Sequence, residues 1–500
     1  MSLYSKKRHH NTMQNLPIKL YRATQVRELD RIAIQERGIP GFELMSRAGA
    51  EVFQRITQQW PNVRSVAVFC GSGNNAGDGY IIAGLALASG LNVCVYALSE
   101  PDKLNGDALT AYQRYSLAHG TVMPFQAGQA VNADVLVDAL LGTGLDRLVT
   151  GRYAEAIQVI NAHSSPVIAV DIPSGLNADT GNVMACAVKA DTTVTFIGLK
   201  QGLFTGQAAE YCGKICYVQL GVPDDVFAEL KAAALRVVKK SLPRRDRCVH
   251  KGSCGHVLIV GGELGYSGAA RMAGEAALRV GAGLVSIATR AGHSMLMNVG
   301  RPELMCHGVE TAEQLVVLLA KVDIVVVGPG LGQSAWAKAL FNTAIASGKP
   351  MVIDADGLNL LAHTPNTNPG WILTPHPGEA ARLLNSSTAD VQQDRFAAAW
   401  SIQANYGGIA ILKGAGTLIA SEQALAVSGT GNPGMASGGM GDVLAGVIAG
   451  LLAQGFSLQD AAQQGVYKHG LAADLAVAKD GERGLLASDL MPYLRQLVNE

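Results

Sequence analysis

The sequence carries no excess of charge of either sign, few aromatic residues and no long hydrophobic run. Its 40 basic and 40 acidic side chains balance, so nothing predicts electrostatic attraction to nucleic acid or to a membrane surface. The longest apolar run, Val443 to Ala453, is too short to span a bilayer. We therefore expect a soluble, cytoplasmic protein whose partners are small molecules.

Cysteine is sparse, and its spacing predicts no metal site. The closest pairs, Cys212/Cys216 and Cys248/Cys254, are not backed by a second pair or by histidines at zinc-ligand spacing, so we expect reduced thiols. The N-terminal stretch is polar and basic, and it has neither the apolar core nor the cleavage site of a signal peptide. We predict a disordered tail over residues 1–20.

The length and the glycine content favour two domains built from α/β units. A chain of 500 residues exceeds what one hydrophobic core usually holds. It has 58 glycines but only 5% aromatic residues, a composition that suggests layered strands and helices joined by tight turns. We place the joint near residue 227, which gives domains over residues 21–227 and 228–500.

The first half contains a strand, glycine turn, helix and strand in succession. The strand Ser65 to Cys70 precedes the turn Gly71 to Gly79, a helix from about Tyr80 to Ala88, and the strand Asn92 to Leu98. The glycine pattern of this turn is only a weak dinucleotide-binding fingerprint, and the absence of Gly-Lys-Ser/Thr argues against a Walker phosphate loop. This βαβ unit has a nucleotide-type turn.

Polar side chains in this turn and after two later strands form the first candidate site. The asparagines and aspartate of the turn could supply oxygens to a hard cation or donors to a ligand, or could instead bond their own backbone. The predicted strands Ala133 to Leu140 and Pro166 to Val170 also end in polar residues, although a single acid there is usually a cap or a turn former. Because the carboxyl ends of parallel strands share one edge, we expect four residues to converge: Asn75, Asp138, Asp171 and Ser174.

These motifs resemble the N-terminal domain of the NAD(P)H-hydrate epimerases, from about Thr24 to Phe227. Ala76 stands where that family usually has glycine. The resemblance implies that Asp171 acts at the hydrated carbon of the nicotinamide ring, and that Asn75, Asp138 and Ser174 hold a potassium ion. It further implies a substrate-binding surface made of Asn74, Asn75, Ala76, Gly77, Asp78, Gly142, Thr143, Gly144, Leu145 and Asp171.

The second half repeats the alternation of strand, glycine turn and helix. It begins after the basic run Lys239 to Arg247, which has no interleaved aromatic residues and which we interpret as a solvated connector. Strands are predicted at Val257 to Val260, Leu284 to Ala288, Val322 to Val327 and Met351 to Ile353. We expect a second layered α/β fold with its ligand edge at the strand C-termini.

The stretch Gly431 to Gly446 is the strongest candidate site of the second half. It contains six glycines and leads through Asp442 into an apolar run that predicts a helix. Free N–H groups at a helix N-terminus favour phosphate oxygens, and a carboxylate there could take the proton of a hydroxyl that attacks phosphorus. The alternative is that Asp442 only caps the helix and that the glycines serve tight packing.

Two further residues are candidates for ligand contact. His376 lies between two prolines, which keep its ring in a loop, although a lone histidine is more often structural. Lys413 is followed by glycines and would provide a cation and open N–H groups for a nucleotide phosphate. The alternative is a plain hairpin turn.

From about Lys239 to the C-terminus, these motifs resemble the ADP- or ATP-dependent NAD(P)H-hydrate dehydratases of the ribokinase-like superfamily. The resemblance implies that Asp442 is catalytic and that Met440 replaces a threonine common in that family, which removes one hydroxyl near the phosphate. It implies a substrate surface made of Gly268, Gly330, His376 and Asp442. It implies a nucleotide site made of Lys413, Gly414, Ala415, Gly416, Thr417 and Gly441.

Together the two resemblances imply a bifunctional metabolite-repair enzyme: a Rossmann-like three-layer α/β domain followed by a ribokinase-like α/β domain. The first would interconvert the R and S hydrates of NADH and NADPH with potassium. The second would phosphorylate the S hydrate with Mg2+ and ADP or ATP, and loss of phosphate would restore the dinucleotide. The alternative is a ribokinase-like small-molecule kinase fused to a non-catalytic nucleotide-binding domain. We also expect a homo-oligomer, and the choices between ADP and ATP and between NADH and NADPH stay open.

Overall fold

The computed structural model describes residues 16–500 of the chain. These residues form two compact units, which divide between Ala234 and Leu235, close to the joint predicted near residue 227. Of the tail predicted over residues 1–20, residues 1–15 lie outside the described part, and Leu20 is buried in a short strand. No described helix is long and apolar enough to cross a membrane.

The first unit is organised around a parallel sheet. The seven strands of this sheet are β2 (Ser65–Cys70), β3 (Asn92–Ala97), β4 (Thr121–Pro124), β5 (Val135–Ala139), β6 (Val167–Val170), β7 (Thr192–Phe196) and β8 (Lys214–Val218). The unit also contains the short strand β1 (Lys19–Leu20), which is not part of this sheet. Its helices are α1 (Ala23–Arg31, continued by a π-helical turn Ile32–Glu36), α2 (Gly41–Gln59), α3 (Asn74–Ala88), α4 (Gly106–Leu117), α5 (Gly151–Ala162) and α6 (Ala208–Tyr211). Three 3₁₀ turns span Pro101–Lys103, Gln201–Phe204 and Asp224–Ala228. The sheet order is β4-β3-β2-β5-β6-β7-β8, and every pair in it is parallel.

Alternate residues of β2 face two separate hydrophobic cores. Val66 and Val68 pack in the core that also holds residues of α2, α3 and α4, whereas Ala67 and Phe69 pack in the core that holds residues of α5. Successive side chains of a strand point to opposite faces, so an apolar strand of this kind is covered on both sides. The first unit therefore has three layers, with helices on both faces of the sheet.

The helix after β2 begins earlier than the sequence predicts. The expected glycine turn runs from Gly71 to Gly79, but α3 already begins at Asn74. The reason lies in packing: a Cβ on Gly77 would come 2.6 Å from the side chain of Met45 and 2.9 Å from the backbone of Ala108. Gly77 thus serves the close approach of three helices rather than a turn.

The second unit contains one mixed sheet. Its strands are β9 (Ala234–Arg236), β10 (His256–Val260), β11 (Leu284–Thr289), β12 (Met305–Gly308), β13 (Ile324–Val327), β14 (Met351–Ile353), β15 (Trp371–Leu373), β16 (Ile409–Leu412), β17 (Thr417–Ala420) and β18 (Leu425–Ser428). Within the unit the strand order is β9-β18-β17-β16-β15-β14-β13-β10-β11-β12. The pairs β16–β17 and β17–β18 are antiparallel, and the other pairs are parallel.

Helices cover this second sheet. They are α7 (Ser267–Arg279), α8 (Ala291–Ser294), α9 (Ala312–Leu319), α10 (Ala335–Ala346), α11 (Ala355–His363), α12 (Pro377–Leu383), α13 (Thr388–Gln393), α14 (Arg395–Tyr406), α15 (Met440–Ala453), α16 (Leu458–Asp480) and α17 (Met491–Leu497). Three 3₁₀ turns span Lys251–Cys254, Pro433–Met435 and Ala487–Leu490. The predicted α/β fold class, a three-layer unit followed by a second α/β unit, is confirmed.

Two glycines bring α15 against α7. A Cβ on Gly446 would overlap the backbone oxygen of Ala273, and one on Gly450 would lie 2.7 Å from that of Ala277. The two helices therefore touch backbone to backbone, which no larger residue would allow at these positions. This contact sets where the N-terminus of α15, with Asp442, meets the edge of the sheet.

Candidate active sites

In the first unit, Asp138, Ser174 and Asn75 lie together, as predicted from the strand ends. The backbone N–H of Ser174 donates to Asp138 Oδ2 at 2.7 Å, and its hydroxyl donates to Oδ1 at 2.5 Å. The N–H of Leu141 donates to Ser174 Oγ at 2.8 Å, and Asn75 Nδ2 donates to the Leu141 carbonyl at 3.2 Å. Asp138 is fully buried, and burial raises its pKa to about 6. No basic side chain in residues 16–500 pairs with this carboxylate.

Asp171 is held at one oxygen only. It follows β6 with a left-handed backbone, φ +68°, which a non-glycine residue adopts at a cost. Lys200 Nζ binds its Oδ1, and the hydroxyl of Thr195 and the N–H of Phe196 donate to the same oxygen at 3.3 Å. Among the described residues Oδ2 has no hydrogen-bond partner, so it is free to act on a ligand.

Lys200 belongs to this candidate site and was missed by the sequence analysis. Its side chain is buried, and Nζ also donates to Thr195 Oγ1 at 3.0 Å and to the Phe196 carbonyl at 3.1 Å. A buried ammonium is stable only when it is paired and hydrogen-bonded. The one signal in the sequence was a lysine inside the mostly apolar stretch from Val194 to Leu203.

A cavity of about 530 Å3 connects these groups. Asp171 and Lys200 line it, together with seven further residues that we predicted for the substrate surface: Asn74, Asn75, Asp78, Gly142, Thr143, Gly144 and Leu145. Ala76 and Gly77 are not brought to the cavity. Ala76 is fully buried and does not line the cavity, so its difference from the family's glycine lies away from the cavity surface. Asp30 also lines the cavity and was not predicted.

In the second unit, the register of the strands gathers polar residues at one edge. Val327, Ile353 and Leu373 are aligned across β13, β14 and β15, so the residues that follow them share this edge. Asp354 follows β14 and is nearly fully buried. Lys413 Nζ donates to its Oδ1 at 2.9 Å, and the hydroxyl of Thr374 donates to the same oxygen at 2.7 Å.

Asp442 lies in the first turn of α15, beside this ion pair. The helix begins after Gly439, whose φ is +89°. A Cβ on Gly441 would lie 3.2 Å from Lys413 Nζ and 3.4 Å from Asp354 Oδ2, so the helix N-terminus approaches both groups closely. Burial, and then repulsion from Asp354, raises the pKa of Asp442 to about 7. The structure thus brings Asp442, Gly441 and Lys413 together, as predicted.

Glu379 completes the cluster and was missed by the sequence analysis. Its Oε2 lies 3.8 Å from Lys413 Nζ and accepts the backbone N–H of His376 at 2.8 Å. Burial raises the pKa of Glu379 to about 7. Burial also lowers the pKa of Lys413, but Asp354 and Glu379 more than offset this, so its net pKa is raised.

His376 is placed beside the cluster and also caps a helix. Its Nδ1 accepts the N–H of Gly378 at 3.0 Å at the start of α12, and about half of its side chain is exposed. Burial, and then the charge of Lys413, lowers its pKa. His376 therefore has a structural role, and its ring stays accessible to a ligand.

The remaining predicted residues lie at four places: in the turn after β16 (Gly414 to Gly416), at the start of β17 (Thr417), in the first turn of α7 (Gly268) and in the loop after β13 (Gly330). A Cβ on Gly414, φ +143°, would lie 2.8 Å from a guanidinium nitrogen of Arg395. Arg395 is buried and donates to the Lys413 carbonyl at 3.3 Å, so it supports this turn from below. Gly330 packs against the Tyr266 backbone, whereas the space around Gly268 is open.

Met440 does not face the candidate phosphate site. Its side chain is 6% exposed and belongs to the hydrophobic core of the second unit. The resemblance to the dehydratases had implied that Met440 replaces a threonine whose hydroxyl would lie near the phosphate. Because its side chain points into the core, the polar surface of the helix N-terminus comes from backbone N–H groups and Asp442.

Comparison with known proteins gives consistent matches to both halves. Residues 41–202 match the family described as YjeF-related protein N-terminus, and residues 257–496 match the family described as NAD(P)H-hydrate dehydratase. The chain is 49% identical to the bifunctional NAD(P)H-hydrate repair enzyme Nnr of Coxiella burnetii, over 96% of this chain and 99% of that protein. It is 43% identical to the protein of the same name from Escherichia coli, over 97% and 95%. A solved ADP/ATP-dependent NAD(P)H-hydrate dehydratase from Bacillus subtilis, co-crystallised with ATP/Mg2+, is 30% identical over 51% of this chain and 93% of that chain, with a TM-score of 0.47.

Proposed function

Because the chain belongs to the family of bifunctional NAD(P)H-hydrate repair enzymes, we propose that its two units divide the repair of hydrated NADH and NADPH between them. Residues 21–227 interconvert the R and S epimers of the hydrate at the cavity beside Asp171. Residues 228–500 return the S epimer to NAD(P)H with ADP or ATP at the cluster around Asp442. The product of one unit is thus the substrate of the other.

In the first unit, Asp171 acts as a base at the hydrated ring carbon. Support comes from its geometry: three donors bind Oδ1, while Oδ2 has no partner among the described residues and borders the cavity. A catalytic base needs such a fixed orientation with one open lone pair. The predicted residues around it, Asn74, Asn75 and Gly142 to Leu145, bind the substrate.

A potassium ion fits the group formed by Asn75, Asp138 and Ser174. Asp138 is a fully buried carboxylate with no basic partner in the described part of the chain, and such a group needs a compensating charge. The side-chain oxygens of these residues and the Leu141 carbonyl are hard ligands that suit a monovalent cation. When bound, the ion neutralises Asp138. Ser174 and Asn75 meanwhile hold the Leu141 backbone, and with it the loop that contacts the substrate.

In the second unit, Asp442 removes the proton from the ring hydroxyl as this oxygen attacks the terminal phosphoryl group of the nucleotide. A pKa near 7 suits a general base at neutral pH. The free N–H groups at the start of α15 bind the charged oxygens of the transferred phosphoryl group. Lys413 and the turn from Gly414 to Thr417 hold the nucleotide phosphates, and His376, Gly268 and Gly330 border the substrate.

Mg2+ fits the charge of this second cluster. Four carboxylates, Asp354, Asp356, Glu379 and Asp442, act on one another around Lys413, and Arg382 also acts on Glu379. A nucleotide brings further negative charge, so a divalent ion that arrives with it would neutralise the transferred phosphoryl group. Phosphate is a better leaving group than hydroxide, and its loss restores the ring double bond.

The observation that carries this proposal is the approach of Gly441 to Lys413 and Asp354, with Asp442 next to it in the same helical turn. The test is to mix the protein with hydrated NADH or NADPH, Mg2+ and either ADP or ATP, and to follow the return of dihydronicotinamide absorbance. We expect recovery with one or both nucleotides. A phosphorylated product without recovery would support a small-molecule kinase instead, and no reaction with either nucleotide would overturn the dehydratase assignment.

A further inference from the structure

Five aspartates and three basic side chains line the cavity of the first unit, and three of the aspartates, Asp30, Asp78 and Asp171, act on one another and on Lys200. Asp171 is paired with Lys200, as described above. Asp30 from α1 and Asp78 from α3 line the same cavity, and neither side chain has a hydrogen-bond or ion-pair partner in residues 16–500. The three N–H bonds of Lys200 point to Asp171, Thr195 and Phe196, so none is left for the other two acids.

In this group three carboxyl groups share the one cation Lys200, which favours a proton on one of the carboxyl groups. Burying an unpaired carboxylate costs far more than protonating it. The charged or titratable groups that act on Asp78 are Asp171, Asp30, Lys200 and the thiol of Cys70. Burial, and then repulsion from Asp171 and Asp30, raises the pKa of Asp78 well above its usual range despite the pull of Lys200. The pKa of Asp30 rises less, to about 6, mainly through burial.

We propose that Asp78 is the general acid that works with Asp171 as the base, and that the epimers interconvert by loss and re-addition of water at the hydrated ring carbon. This inference rests on the proposed epimerase function of the first unit. A protonated carboxyl and an ionised one in the same cavity form the pair that acid–base catalysis needs. The sequence resemblance implied only that Asp78 contacts the substrate.

The chemical step follows from where the hydroxyl lies. Water adds to the ring with its hydroxyl on the carbon next to nitrogen, because nitrogen stabilises positive charge there. Asp78 gives its proton to this hydroxyl, the C–O bond breaks and water leaves, while the nitrogen lone pair forms a C=N bond. Water then adds to the other face, the C=N electrons return to nitrogen, and Asp171 takes the released proton. One C–O bond is broken and one is formed, and the proton lost by Asp78 is gained by Asp171.

The oxygen atom provides the first test, on the unchanged protein. The wild-type chain is incubated with one pure epimer in 18O-labelled water without nucleotide, so that no dehydration occurs, beside a sample without protein. We expect every epimerised molecule to carry 18O in its hydroxyl. Epimer exchange that retains the original oxygen would overturn the inference, because it requires that the C–N bond opens instead of the C–O bond.

The second test removes the acid. Asp78→Asn should slow epimer exchange by about 100-fold or more. Because a general acid must be protonated, the wild-type rate should fall as pH rises through the pKa of Asp78, and this alkaline limb should be absent from the residual rate of the variant. The matched control is Asp102→Asn, in an exposed 3₁₀ turn of the same unit, which should exchange at the wild-type rate with the wild-type pH profile.

The outcomes distinguish a wrong role for Asp78 from a wrong epimerase assignment for the first unit. If the wild-type protein does not accelerate epimer exchange over the sample without protein, the epimerase assignment itself is wrong. If the wild type exchanges and Asp78→Asn exchanges equally fast, only the role of Asp78 is wrong. Recovery of the S hydrate with nucleotide and the thermal melting curve report whether the variant is folded. If the variant unfolds, the inference is still tested on the wild type, by the oxygen label for C–O bond cleavage and by the pH profile for a protonated general acid.

Discussion

At the scale of single residues, the surroundings of Asp442 move its pKa away from the usual value of an aspartate. Burial and repulsion from Asp354 raise its pKa to about 7, and a base acts only when it is ionised. We therefore expect kcat/KM for dehydration to rise roughly tenfold between pH 6 and pH 8, following this ionisation. The measurement is the initial rate of absorbance recovery at low hydrate concentration. A rate that is flat over this range would contradict the role of Asp442.

Lys200 gives a second prediction at this scale. Lys200→Met leaves Asp171 in a largely buried site without its cation, which typically costs about 3 kcal/mol of folding free energy. Denaturant unfolding of the first unit should show the loss, and epimer exchange should slow because Asp171 loses its orientation. The control is Lys189→Met, whose partner Glu210 is exposed, so that little change in stability is expected. Equal effects of both variants would contradict the importance of burial.

At the scale of secondary-structure elements, the active site of the second unit depends on how closely α15 packs against α7. Gly446 and Gly450 allow contact between the two backbones, and α15 carries Asp442 at its other end. The candidate site is therefore placed by a helix contact that begins one turn away from Asp442. The position of Asp442 at the start of α15 therefore depends on how Gly446 and Gly450 pack further along the same helix.

Gly446→Ala tests this link. The added methyl group would overlap the Ala273 backbone, so we expect a loss of about 1–3 kcal/mol in stability and slower dehydration as α15 shifts. Gly84→Ala is the matched control, because Gly84 is also inside a helix but has no atom within 4 Å of an added Cβ. That change should stabilise the chain slightly, since alanine favours helix more than glycine does. Unfolding in urea and the dehydration rate measure both effects.

At the scale of the whole molecule, the two carboxylates that we propose as catalytic, Asp171 and Asp442, lie in different units. In a mixture of both hydrate epimers with nucleotide, the wild type should restore all of the NAD(P)H. Asp171→Asn should stop once the S epimer is consumed, because the R epimer is no longer converted. Asp442→Asn should restore none while still exchanging the epimers. Loss of both activities in either variant would contradict two independent sites.

Cytoplasmic location and assembly as a homo-oligomer stay predictions from the sequence at this scale. Sedimentation of the purified chain measures the second directly. The domain limits of residues 21–227 and 228–500 also stay predictions, although the two compact units divide nearby, between Ala234 and Leu235.

The amino-acid sequence alone was enough to predict the architecture and part of each site. Apolar strands, glycine turns and helices follow one another with local spacings, and the rule that parallel strands end at one edge is sufficient to bring Asp138, Ser174 and Asn75 together. The same reasoning placed Asp442 at a helix N-terminus. Local patterns are sufficient wherever residues near in sequence, or strand ends at one edge, make the site.

Only the tertiary structure decided which side chains pair and which carry a proton. Lys200 lies 29 positions after Asp171 in the sequence, and no local pattern indicated that the two form a buried ion pair. Asp30, Asp78 and Glu379 acquire raised pKa values because distant segments exclude water from them, and Met440 is directed into the core by packing alone. Burial and charge are properties of the assembled chain, since both depend on what surrounds a group rather than on its neighbours in sequence.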